Sequence, residues 1–210
     1  MLCGMIEETT TPTKRTLRHE AISRRKQVDP AERARAGARL AGLMDGLPLP
    51  DARATVAAYV SMGSEIETRP LLDALLAAGY RVLVPRLGAG LDVGWGELDA
   101  TGLLRDMDDP GSPTHHRPDE PEGETLPPES LAQAALILVP ALAVDRSGTR
   151  LGRGGGWYDR ALAHRSPACP VLAVCWDWEV LGADEDPLPR ETHDLPVDGA
   201  LTPGGIVLFG

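Results

Sequence analysis

The sequence predicts an α/β fold: three layers, α/β/α, around an open, mainly parallel sheet with Rossmann-like crossovers. Three observations carry this expectation. Apolar runs of strand length recur at 54–60, 80–87, 135–140, 169–176 and 204–209. The segment "RPLLDALLAAG" (69–79) has a helical pattern with Gly79 as its stop, and it joins two of those runs in a unit long enough for a right-handed parallel crossover. The chain has 210 residues, 42% of them hydrophobic, which suffices for one well-filled core.

Taken in order, residues 1–12 read as a disordered leader and 13–210 as one domain. "TPTKRTLRHEAISRRKQVD" reads as a basic amphipathic helix. Leu17, Ala21 and Ile22 supply its apolar side, and Lys14, Arg18 and Arg25 share another. A second helix starts at Asp29, a good N-cap, with Pro30 in its first turn. "ATVAAYV" and "YRVLVPRL" are strands flanking the 69–79 helix, and "GLDVGWGEL" supplies a short edge strand. The span 106–130 is poor in apolar residues and rich in Pro, Asp and Glu, so it reads as a long surface excursion. "ALILVP" resumes the core, "WYDRALAHR" begins a helix, and "CPVLAVCW" and "GGIVLF" are the last strands.

The formal net charge of −10 argues against a general nucleic-acid binder. Basic residues nonetheless cluster at Lys14–Arg39 and Arg146–Arg165, so a small anion has local positive charge to meet. Three cysteines show no zinc-type spacing, and no secretory or membrane segment is present, so the expected location is the cytoplasm.

The most informative stretch is "SGTRLGRGGGWYDRAL" (147–162). It matches neither the P-loop nor the dinucleotide fingerprint, because Trp157 stands where the last glycine belongs. Gly152, Gly154, Gly155 and Gly156 still leave backbone amides unshielded ahead of a helix, as a phosphate cradle requires. Arg150 and Arg153 can add forked donors to the same anion. Trp157 and Tyr158 can stack on a planar ring or anchor the helix to the sheet. Asp159 suits the helix dipole or a magnesium ion riding on phosphate. Asp145 suits the same ion, or it caps its own turn.

Other candidates lie elsewhere. Glu65, just beyond a core strand, can bind the amine or amide edge of a heterocycle; Glu67 competes for that part with the opposite facing. Tyr59 reads as core and Met62 as a pocket wall. Lys14 and Arg18, four apart, can form a basic arm over a phosphate. His193–Asp194 is weak evidence for catalysis, and His115–His116 lack a metal-binding context.

Several segments, in order, resemble the 5-formyltetrahydrofolate cyclo-ligase family, also called methenyltetrahydrofolate synthetase. They are "KRTLR", "YVSMGSEIET", "VLVPRL", "LVPALAVDRSGTRLGRGGGWYDR" and "THDLPVD". The resemblance implies ATP and magnesium as cofactors and a reduced folate as substrate. It implies a phosphorylated formyl intermediate that closes to 5,10-methenyltetrahydrofolate, and a cytoplasmic monomer without nucleic-acid or membrane partners.

It assigns Arg150, Arg153 and Lys14 to catalysis. Lys14, Arg18, Arg150, Gly152, Arg153, Gly154, Gly155, Gly156, Trp157 and Tyr158 go to the nucleotide. Tyr59, Met62, Glu65, Trp157 and Tyr158 go to the folate, and Asp145 and Asp159 to magnesium. Val144 and Trp157 depart from the Phe and Tyr that the family commonly shows, and "HRPDEP" retains only Glu120–Pro121 of another family segment. Those departures favour a related enzyme with another organic substrate as the alternative. A non-catalytic nucleotide or folate binder is a third possibility, but the retained charged groups argue against it.

Overall fold

The computed structural model describes residues 13–50, 53–87, 92–107 and 117–210. The 1–12 leader and the His115–His116 pair lie outside them.

Among the described residues, nine strands and four α-helices follow one another. They are α1 (Lys14–Lys26), α2 (Pro30–Gly42), β1 (Thr55–Ala57), α3 (Arg69–Ala77), β2 (Arg81–Pro85), β3 (Trp95–Leu98), β4 (Ala134–Pro140), β5 (Ala143–Val144), β6 (Arg150–Leu151), α4 (Trp157–Leu162), β7 (Val171–Val174), β8 (Gly199–Thr202) and β9 (Gly205–Leu208). Seven strands form one sheet in the order β3-β2-β1-β4-β7-β8-β9. Its five inner strands are parallel, and β3 and β9 are antiparallel edges.

Alternation along the strands builds two cores. Val82, Val84, Leu136 and Leu138 face Ala36 and Leu40 of α2 and Leu71, Leu72 and Leu75 of α3. Leu83, Ile137 and Val139 face the other way, onto Ala161 and Leu162 of α4 and Leu131. The result is the three-layer α/β/α arrangement the sequence predicts. α1 stands apart from both layers. Its Leu17, Ala21 and Ile22 pack on Leu142, Leu151 and Leu188, which secures the helix to the β5–β6 ribbon.

Two features differ from the sequence reading. β8, "GALT", is fully buried between β7 and β9, yet it holds a single large apolar residue and so carries no strand signal. The β5–β6 ribbon splits the glycine-rich stretch, so that Arg150 sits on a strand rather than in a loop. The excursion folds back on the sheet edge at Arg105–Glu120 and Trp95–Leu126. Buried Glu120 anchors it there, accepting from the Leu87 amide at 3.0 Å and from Arg117 at 2.8 Å.

The chain runs from β1 outward to β2 on one side and from β4 outward to β7 on the other. The topological switch point therefore lies between β1 and β4, and a crevice opens there at the carboxyl ends of the strands. α2 closes tightly against the loop after β1. A Cβ on Gly37 would lie 2.3 Å from the Glu67 carbonyl oxygen. Backbone meets backbone there, so Gly37→Ala should destabilise the fold by about 1–3 kcal/mol. Thermal unfolding checks this, and an unchanged Tm would refute that contact.

Candidate active site

A cavity of about 370 Å³ occupies the switch point. That is within the range of small-molecule sites. Tyr59, Val60, Met62 and Glu65 line it from the segment after β1, and Pro140, Ala141 and Leu142 from the end of β4. Arg150 and residues 152–159 supply a second wall, and Lys14, Arg18 and Arg25 of α1 a third. Glu191, His193 and Asp194 stand on the rim.

The glycines make this wall possible. Gly154 and Gly156 have φ of 101° and 62°, where other residues are strained. A Cβ on Gly152 would lie 2.7 Å from Arg150 Nη1, so Gly152 leaves the space that guanidinium fills. Among the described residues, no hydrogen bond uses the amides of Gly154, Gly155 or Gly156. Arg18 Nε donates to the Gly152 carbonyl at 2.8 Å and ties α1 to this wall.

Arg150 is an enclosed cation of this cavity. Its Nη1 donates to the Pro140 carbonyl at 3.1 Å, and its Nη2 reaches Asp159 Oδ1 at 3.4 Å. Its guanidinium lies 5.7 Å from the Tyr158 ring centroid. Its Nε is buried with no partner among the described residues. Arg153 reaches across the cavity instead. Its Nε donates to Glu65 Oε1 at 3.0 Å, while Glu65 Oε2 accepts from the Met62 amide at 2.9 Å.

Glu65 is therefore the inward carboxylate, whereas Glu67 pairs with Arg69 and stays off the cavity wall. Burial pushes the Tyr59 and Tyr158 phenols above their ordinary range, with the Glu65 charge adding to the effect. Both are neutral hydroxyls at neutral pH.

Two residues fall away from the places expected for them. Asp145 does not line the cavity. Its Oδ1 accepts from the Ser147 amide and hydroxyl and the Thr149 amide, and its Oδ2 from the Leu188 amide at 2.9 Å. It is the turn-capping carboxylate, with both oxygens committed. Val144 is wholly buried in the core and also lies off the cavity wall. The position where the family commonly shows Phe is thus core here, not cavity wall. Trp157 does line the cavity, but its Nε1 donates to the Asp92 carbonyl at 3.3 Å and its ring packs edge-on against Trp95. It anchors α4.

The profile of the 5-formyltetrahydrofolate cyclo-ligase family matches residues 10–203. The chain belongs to that family. It is 39% identical over 196 residues to the 5-formyltetrahydrofolate cyclo-ligase of Mycolicibacterium smegmatis, covering 91% of this chain and 94% of that one. The Escherichia coli K12 cyclo-ligase is 28% identical, over 87% of this chain and 96% of its own. The solution structure of Aquifex aeolicus 5,10-methenyltetrahydrofolate synthetase superposes with a TM-score of 0.72 at 26% identity, covering 93% and 92% of the two chains. Cyclo-ligase membership makes the role of this chain enzymatic. No helix among the described residues is long and apolar enough to cross a membrane.

Two further cavity residues, Asp194 and Glu191, carry little signal in the sequence. Lys14 Nζ meets Asp194 Oδ2 at 2.5 Å and Glu191 Oε1 at 3.5 Å. The sequence signals are the adjacency of His193 and Asp194 and their place in the family segment "THDLPVD"; no local pattern shows that a partner 180 residues away completes the pair. Burial alone would raise the Asp194 carboxyl; the Lys14 ammonium and the Glu191 amide outweigh it and hold the carboxyl below its ordinary value. A depressed acid contributes stability above its unfolded pKa, about 3.9, and loses it as pH falls through the folded value. Asp194→Asn should therefore be less stable than wild type at neutral pH, and the gap should close below about pH 3.9. Denaturant unfolding from pH 7 to pH 2 measures the gap; a gap independent of pH would sink the assignment.

Proposed function

We propose that the protein cyclises 5-formyltetrahydrofolate to 5,10-methenyltetrahydrofolate, consuming ATP and releasing ADP and phosphate. One observation carries this reading. At the β1–β4 switch point, Glu65 on the wall after β1 and Arg153 of the glycine-rich wall meet at 3.0 Å, so a site for a heterocycle adjoins a site for phosphate.

The formyl oxygen attacks the terminal phosphorus, and the bond to ADP breaks. Nitrogen 10 then closes on the activated carbon, its proton leaves, and phosphate departs with the formyl oxygen. ATP supplies the leaving group, so the protein's part is to position reactants and stabilise charge. Arg150 and the amides of Gly154–Gly156 face the phosphoryl group in transfer. Lys14 and Arg18 hold the phosphate chain from α1. Glu65 accepts from the pterin edge, Tyr59 and Met62 wall the folate, and Trp157 and Tyr158 back both ligands.

Hard oxygen donors suit magnesium. Asp159 and Asp194 are carboxylates on the cavity wall, and Asp145, fully engaged elsewhere, is not. Asp159 would hold the ion, which supplies positive charge to the phosphates; Asp194 is engaged by Lys14 Nζ at 2.5 Å and the Glu191 amide at 2.7 Å. The same reading makes the protein a cytoplasmic monomer folded as one domain over 13–210, with no nucleic-acid or membrane partner.

The case for a different organic substrate weakens, because Val144 is core and Trp157 turns its polar atom away. Incubating the protein with magnesium, ATP and 5-formyltetrahydrofolate should yield methenyl absorbance and ADP in equal amounts. ADP release without methenyl product would point to another substrate. Tight nucleotide binding with no ADP release would point to a non-catalytic binder.

A further inference from the structure

We propose that Arg25 is a further binding residue of this cavity, donating from Nη1 to a phosphate oxygen of the nucleotide, with Glu179 as the residue that positions it. The proposal takes the nucleotide from the cyclo-ligase reading above.

Arg25 is only 2% exposed, yet it lines the cavity. A guanidinium carries five N–H donors. The Nε donor goes to Glu179 Oε1 at 2.6 Å, and the Nη2 pair goes to Glu179 Oε2 at 2.6 Å and to the Ala141 carbonyl. Glu179 is itself fixed, because its Oε2 also accepts from the Trp176 amide at 2.9 Å. The two Nη1 donors have no partner among the described residues. Nη1 keeps some accessible surface, and because Arg25 lines the cavity, its two unused donors are open to a ligand's acceptor.

The surroundings say what kind of acceptor. Lys14, Arg18 and Arg25 are spaced four and seven residues apart, so they lie along one stripe of α1, and all three line the cavity. Arg18 is already tied to the glycine wall through Gly152. Arg25 and Arg150 grip successive carbonyls at the end of β4, Ala141 and Pro140. Arg25 is thus the innermost cation of a row that converges on Arg150. A chain of phosphates, with several charged oxygens in line, fits such a row better than one carbonyl does.

Calorimetry tests this with three probes: ATP with magnesium, inorganic tripolyphosphate, and 5-formyltetrahydrofolate. Arg25→Lys keeps the charge beside Glu179 and removes the second arm of the fork. It should weaken ATP and tripolyphosphate at least tenfold, with 5-formyltetrahydrofolate within twofold of wild type. A double variant, Arg25→Met with Glu179→Leu, removes both charges, so that folding is retained without an orphaned ion. It should show the same selective loss.

All affinities within twofold of wild type would overturn the proposal. So would weakening of the folate alone, or an equal loss for all three probes, which marks a purely structural pair. Failure of the cyclo-ligase reading looks different: wild type would bind tripolyphosphate yet form no methenyl product.

Discussion

Replacing Arg150 with methionine is expected to lower kcat by about 10²–10³-fold, the usual cost of removing one preorganised donor from a charge-stabilising site. The structure separates this effect from a folding defect. Among the described residues Arg150 hydrogen-bonds to the Pro140 carbonyl and Asp159 and lies over the Tyr158 ring, and its Nε is buried without a partner. An arginine kept for architecture would satisfy that donor. Methionine is unbranched and adaptable, so it can occupy the channel that Gly152 leaves open. The loss should fall on kcat and kcat/KM alike, because the interaction strengthens only as charge moves in the transferring phosphoryl group. Steady-state kinetics on protein that melts near the wild-type Tm measures it. A kcat within threefold of wild type would remove Arg150 from the catalytic machinery.

The sequence and the structure agree where physics is local. Short apolar runs such as "ALILVP", rich in branched residues and of strand length, read as buried strands, and Asp29–Pro30 starts a helix by its own chemistry: the Asp29 carboxylate accepts from the Ala31 amide at 2.6 Å. The glycine wall was legible for the same reason, since five glycines in nine residues serve no ordinary turn.

What could not be read depends on distant partners. Asp145 looked like a metal ligand because it follows a strand, and only the arrival of the Leu188 amide shows its second oxygen to be taken. Arg25 looked like one more basic residue on a helix; its carboxylate partner stands 154 residues further on. Asp194 had the same difficulty with Lys14. Val144 invited a pocket role by its departure from an aromatic, but its direction in the β5–β6 ribbon points it into the core. β8 is a strand because its neighbours on both sides make it one.

The Glu65–Arg153 pair yields the second large effect. Glu65 is buried, with a side chain only 5% exposed, while the Arg153 side chain is 42% exposed. Such a half-exposed ion pair is worth about 1 kcal/mol or less, so ligands can separate it at small cost. On the proposed cyclo-ligase reading, Glu65 would serve the pterin edge and Arg153 the phosphates once both substrates are bound.

Glu65→Gln should then raise KM for 5-formyltetrahydrofolate by roughly 10–100-fold, the worth of a hydrogen bond to a charged group, with KM for ATP within threefold. Arg153→Ala should lower kcat by about 100-fold, with little change in either KM. The decisive quantity is kcat/KM of the double variant. If the two residues part when the substrates bind, their effects on the transition state add to within about 0.5 kcal/mol. If they stay paired through the reaction, removing the second costs little after the first, and the coupling exceeds about 1 kcal/mol. The additive result is the expected one. A strongly coupled cycle would mean that Arg153 acts on the folate side by fixing Glu65, and that the phosphoryl group is left to Arg150, Lys14 and Arg18.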